Sequence, residues 1–223
     1  MLNLTQFAGL CAVALTAFAP IAFAAPATKP APAPVAPPAA PAPVGDPAAD
    51  PALSHPANKA VTSLVGSIRY GKYTMALKFM DGNAQGAFLL GADWAKGDDK
   101  QRAEFVTLFH TLFAKVAFPK MQANFEHIQT AVYEPAVVVG NKATVKSTLV
   151  VLHALKKQEF KLKYQLLQTG ADCKLVDVDL LGESMLTGVR NEQIVPIMKE
   201  GGWTNLLDLL RKKAKSLEGV PLK

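Results

Sequence analysis

The sequence predicts an α+β domain in which helices pack over one face of a curved antiparallel sheet. Three observations predict it. From Val61 to Val116 apolar residues recur at steps of three and four, the period of a helix with one buried side. From His127 to Leu180 the period falls to two, the period of strands with one greasy and one wet face. Beyond Gly182 the helical period returns.

Ahead of this domain lie two segments of other character. Residues 1–24 read as an export signal: an apolar stretch from Phe7 to Phe18 leads into Ala22-Phe23-Ala24, small residues at the positions a signal peptidase reads. Cleavage is expected after Ala24, which places the chain in the periplasm; the alternative is an uncleaved signal that tethers it to the inner membrane. Lipid attachment at Cys11 does not fit, because Leu10 fills the small-residue position before it. Residues 25–57 contain eleven prolines and almost no large apolar side chain. Such a segment cannot bury enough surface to fold and is expected to be a semi-stiff tether, reaching on the order of 100 Å when fully extended. The folded domain is expected to span residues 58–223.

Within the domain the first helix is predicted from Val61, Leu64, Val65, Ile68, Leu77 and Met80, weakened at Gly66 and Gly71. Asp81-Gly82-Asn83 reads as a turn, followed by a short helix that ends at Gly97. Asp98 and Gln101 have capping-box spacing. The helix they open carries Phe105, Leu108, Phe109, Leu112, Phe113 and Val116 on one face, with a kink or an end at Pro119. Strands follow at "HIQTAVYE", "AVVV", "ATVKSTLVVLHAL", "EFKLKYQLLQ" and "KLVDVDLL". Ser184 is placed to cap the next helix, Pro196 to break or restart it, and Gly201-Gly202 to stop it before a last amphipathic helix.

The chemistry is sparse. The chain has no GxxxxGK[ST], GxSxG or HExxH motif, and its four histidines are scattered without ligand-like partners, so no metal or cofactor is expected. Net charge is +6, which favours anionic partners without naming one, and the lysines lack the aromatic neighbours of a nucleic-acid platform. Removal of the signal leaves Cys173 as the single cysteine, read as an inert thiol in the turn "TGADCK". Asp177 and Asp179 share a strand face by their spacing of two, and are read as solvated partners of Lys161 and Lys163 rather than as an acid/base pair.

What stands out is apolar lining. The predicted inner face carries Val145, Ser147, Leu149 and Val151, then Phe160, Leu162, Tyr164 and Leu166, then Val176, Val178 and Leu180. The long helix adds three phenylalanines. Periodicity leaves open whether these residues fill a closed core or surround a cavity.

The segments "LLGADWAKGDDKQRAEFVTLFHTLF" and "KLVDVDLLGESMLTGVRNEQ…GGWTNLLDLL" resemble the MlaC-type periplasmic phospholipid-binding proteins, also called toluene-tolerance proteins. The resemblance rests on Leu90-Gly91, Trp94, Arg102, Phe105, Phe109 and Leu112, and later on Val176, Asp177, Val178, Gly182, Ser184, Met185, Arg190, Gln193, Gly202, Leu206 and Leu210. Glu183, Val189 and Cys173-Lys174 depart from the family pattern and mark a divergent member. The resemblance implies a fold similar to nuclear-transport-factor-2-like domains, and no catalysis. It implies a carrier shuttling phospholipid, or a hopanoid-type lipid, between the membranes. The implied partners are an inner-membrane ABC transporter complex and an outer-membrane lipoprotein complex. Acyl chains would lie against Phe105, Phe109, Phe113, Val145, Leu149, Val151, Phe160, Leu162, Tyr164, Leu166, Val176 and Val178. Arg190 would meet a headgroup or cap surface carboxylates. Two other readings stand beside this one: an isomerase-like enzyme, which needs a carboxylate beside Tyr164, and a non-catalytic envelope adaptor.

Overall fold

The computed structural model describes residues 51–153 and 156–220. The expected signal segment and most of the tether lie outside the described residues. Helix α1 (Pro56–Arg69) opens with His55, whose Nδ1 accepts the Ala57 N–H at 3.1 Å, and Pro56 sits at the first helical position, where its missing N–H costs nothing. The helix reaches slightly ahead of the expected boundary, and Ala57 is already fully buried. The predicted first helix is two: Gly71, at φ 69°, turns the chain before α2 (Tyr73–Leu77). Asp81 caps α3 (Gly82–Leu90) by accepting the Ala84 N–H. Gly91, at φ 57°, ends α3 earlier than expected, and a 3₁₀ turn, Gly91–Lys96, fills the rest.

Helix α4 (Asp99–Leu112) carries the predicted capping box: Asp98 accepts the Gln101 N–H at 2.8 Å and Gln101 accepts the Asp98 N–H at 3.0 Å. The chain then widens into a π turn, Phe113–Ala117, before α5 (Phe118–Phe125). Pro119 explains the turn. A proline ring collides with the carbonyl four residues back, here that of Lys115, and the wider turn moves that carbonyl aside. The same device recurs after α6 (Met185–Val189), where the π turn Arg190–Ile194 precedes Pro196 at the start of α7 (Val195–Lys215). Within α7 the backbone leaves helical geometry at Gly201 and Gly202, where the sequence predicts a stop.

Between the helical groups lies an antiparallel sheet of six strands: β1 (Ile128–Tyr133), β2 (Val137–Val139), β3 (Lys142–His153), β4 (Lys156–Thr169), β5 (Asp172–Leu180) and β6 (Glu183–Ser184). The order is β1-β3-β4-β5-β6, with β2 also paired to β3. The fold is a curved sheet with helices packed on it. Helix α1 lies against β3, β4 and β5, and α4 packs on α7. Two apolar cores result. One joins the inner sheet face to α1, α2 and α5; the other is a helical core of α3, α4, α6 and α7, and Phe113 touches both.

The β4–β5 ladder corrects the strand reading. Leu166 pairs with Leu175 but Gln165 pairs with Asp177, so Val176 is an extra residue. This bulge flips the phase of β5. Before it Cys173 and Leu175 face inward; after it Val178 and Leu180 do. Cys173 therefore lies buried in β5 rather than in a turn, and burial pushes its thiol pKa up. Asp177 and Asp179 are not solvated: they are 5% and 8% exposed. Lys163 does pair with Asp179, at 3.0 Å, as the cross-strand reading expects.

Candidate binding cleft

An apolar cleft lies between the inner face of the sheet and the helices. Strand β4 contributes Phe160, Leu162 and Tyr164, and β5 contributes Leu175, Val176, Val178 and Leu180. Facing them are Leu64, Val65 and Ile68 of α1, Phe113 of the π turn, and Phe118, Met121 and Phe125 of α5. Met80, Met185 and Leu186 close the ends. The cleft is a slot rather than a chamber. Its cavity volume is about 60 Å³. That is room for roughly four to six waters, well below the 300–1,000 Å³ of a formed small-molecule pocket.

Half of the residues predicted to line the site do so: Phe113, Phe160, Leu162, Tyr164, Val176 and Val178. Val145, Leu149, Val151 and Leu166 belong to the same core but are sealed beside the slot. Phe105 and Phe109 lie elsewhere, in the helical core. Their rings stack at 5.6 Å and 8°, and Phe105 meets Trp94 and Trp203 edge-on. The α4 stripe is apolar because α7 covers it with Leu206, Leu207 and Leu210, not because a ligand does.

Some lining residues were hidden from the sequence. Phe118 directly precedes Pro119, where the helix was expected to kink or end, and Met121 and Phe125 follow it. Leu175 is out of phase until the bulge is known. Met80 enters because the α2–α3 linker pairs with β5 like an edge strand: Asp81 donates to the Leu175 carbonyl and Leu175 donates to that of Phe79.

Polar groups at the slot are already engaged. Tyr164 is fully buried, its hydroxyl is 3.2 Å from Ser147 Oγ, and burial drives its pKa far up, so it stays neutral. Gln85 donates to the Val176 carbonyl at 3.2 Å and shares a hydrogen bond with His110 Nε2 at 3.0 Å, which fixes the bulge. Asp177, the ladder partner of Gln165 rather than of Tyr164, brings one carboxylate to the slot. Its oxygens, however, accept from the Ser184 hydroxyl, the Leu186 N–H at 3.1 Å and the Val178 N–H at 2.8 Å. A carboxylate so engaged holds the start of α6. Burial still raises its pKa, against the pull of those three hydrogen bonds. No group of three or more metal-ligating side chains occurs among the described residues.

The family model described as MlaC protein matches residues 73–212. The chain belongs to the MlaC family. A phospholipid-binding protein from Ralstonia solanacearum, solved in complex with a phospholipid, has the same fold with a TM-score of 0.58 at 18% identity, over 74% of this chain and 98% of that one. No curated protein matches the chain.

The residues that carry the MlaC resemblance serve mainly the helical core. Trp94 packs over Gly86 and beside Trp203, whose Nε1 donates to the Asp93 carbonyl at 2.9 Å. Arg102 donates to the carbonyls of Trp94 and Gly97. Arg190 lies over the Phe88 ring at 6.0 Å and against Gly91, and among the described residues it makes no ion pair. The expected role of Arg190 as a cap for surface carboxylates therefore gives way to packing.

Proposed function

We propose that this protein is a periplasmic lipid carrier that takes a phospholipid acyl chain into the slot and shuttles it between inner and outer membranes. The observation that carries the reading is the slot itself: an opening lined almost wholly by carbon, between sheet and helices, in a chain of the MlaC family. The phospholipid held by the Ralstonia relative supports the same ligand class. Burying a methylene is worth about 0.8 kcal/mol, so a long acyl chain could offset both its own ordering and the opening of a narrow slot. Met80, Met121 and Met185 suit that task, because unbranched thioether side chains change rotamer at little cost. A slot this narrow favours a flexible chain over a rigid polycyclic body. Export through the N-terminal segment, and hand-over to transporter and lipoprotein complexes in the two membranes, complete the proposal.

Native mass spectrometry of the purified mature chain, followed by solvent extraction, tests it. The expected result is a co-purified lipid in the wild type, lost from Met121→Trp and from Val178→Trp. Both positions line the slot and are half-buried, so a larger side chain can fill the space without rebuilding the core. Lipid retained in both folded variants, or absent from the wild type, would overturn the assignment.

A further inference from the structure

A second cleft shares no residue with the slot. It is bounded by the first turns of α1 (Pro56, Lys59, Ala60, Ser63), by Lys78 and Phe79 after α2, and by Ala171 to Lys174 at the start of β5. Where the slot holds about 60 Å³, this cleft holds about 400 Å³, within the range of small-ligand sites. Its lining is also of another kind. Three lysines, Lys59, Lys78 and Lys174, line it from three separate elements, against one carboxylate residue, Asp172. All three lysines are exposed, and none forms an ion pair among the described residues.

Three lysines against one aspartate around one concavity leave an excess of positive charge and focus a positive field into it. The surrounding groups are small or apolar. Ala60 and Cys173 are buried beneath the cleft, and Ser63 adds a hydroxyl at the wall. Asp172 offsets one of the three lysine charges, and an external anion suits the excess.

We propose that this cleft binds a phosphate-bearing anion, with Lys59, Lys78 and Lys174 surrounding the phosphoryl oxygens. A phosphoryl group suits the arrangement because its several oxygens accept from donors arriving on different sides, and lysines serve it as point charges. The phosphate has two possible sources, a soluble phosphomonoester or the headgroup of a membrane lipid. This proposal is independent of the slot's lipid, since the two sites have no lining residue in common.

Amide chemical shifts of the ¹⁵N-labelled mature chain decide it. The wild type is titrated at constant ionic strength with inorganic phosphate, with chloride as control, and with phosphatidylglycerol or phosphatidylcholine vesicles. Saturable shifts confined to Ser63 and to Ala171 through Lys174 are expected. The double variant Lys78→Glu/Lys174→Glu should weaken them at least tenfold while leaving lipid in the slot. Shifts with inorganic phosphate identify a soluble ligand. Shifts with phosphatidylglycerol vesicles alone identify a headgroup. Silence in both arms, equal shifts with chloride, or saturation unchanged in the double variant overturns the proposal.

Discussion

At the scale of single residues, Gly86 and Gly97 lie tightly beneath aromatic rings. A Cβ on Gly86 would stand 2.4 Å from the Trp94 ring, which Phe105 and Trp203 hold in place. Gly86→Ala should therefore destabilise the domain by about 1–3 kcal/mol despite the gain in helix propensity, read as a lower urea midpoint. His110 gives a pH signature. Burial lowers its pKa below the ordinary 6.5, against a smaller upward pull from Asp81. The folded state thus binds the proton less readily than the unfolded chain does. Its contribution to stability is complete above about pH 6.5 and is lost as pH falls through the lowered value. His110→Gln, which cannot titrate, should flatten the stability profile below pH 6.5, measured by urea unfolding across pH. An unchanged slope would exclude His110 as its source.

At the scale of elements, caps and alternation were legible in the sequence, and irregularities were not. Asp98 with Gln101, Ser184 and the inward set of β3 and β4 follow from local rules that tertiary packing does not override, whereas Asp81-Gly82-Asn83, expected as a turn, opens α3 with Asp81 as its cap. The bulge at Val176 does not, because nothing local distinguishes it from its neighbours; Gln85, distant in sequence, holds its carbonyl. Asp177 was misread for the same reason: a period of two places it beside lysines, but the chain after Gly182 folds back over it. Asp177→Ala should cost about 1–2 kcal/mol, the worth of a helix cap, and should loosen α6. Hydrogen exchange at Leu186 and Thr187 would report this directly. The two π turns add a further lesson. A proline that reads as a helix end can instead widen the preceding turn and let the apolar face run on, as Phe118, Met121 and Phe125 do.

At the scale of the whole molecule, the domain divides its labour between two cores. This division is not legible in the sequence, since both cores draw on the same apolar periodicity. In the helical core the rings of Trp94, Phe105, Phe109 and Trp203 pack on one another, while the sheet-side core stops short of closing and leaves the slot. Stability and ligand retention should then respond to different residues. Phe105→Leu removes ring contacts from the helical core and should cost about 1–3 kcal/mol of stability while the chain keeps its lipid. Met121→Trp, at the half-buried wall of the slot, should leave the urea midpoint nearly unchanged and empty the chain of lipid. Paired unfolding curves and native mass spectra measure both. If Phe105→Leu also releases the lipid while the chain remains folded, the two cores act as one body and the slot cannot be treated as a separate site. The expected separation has a structural reason: Phe105 packs among Phe109, Trp94 and Trp203, none of which lines the slot, and the helical core meets the slot at Phe113 and Leu186.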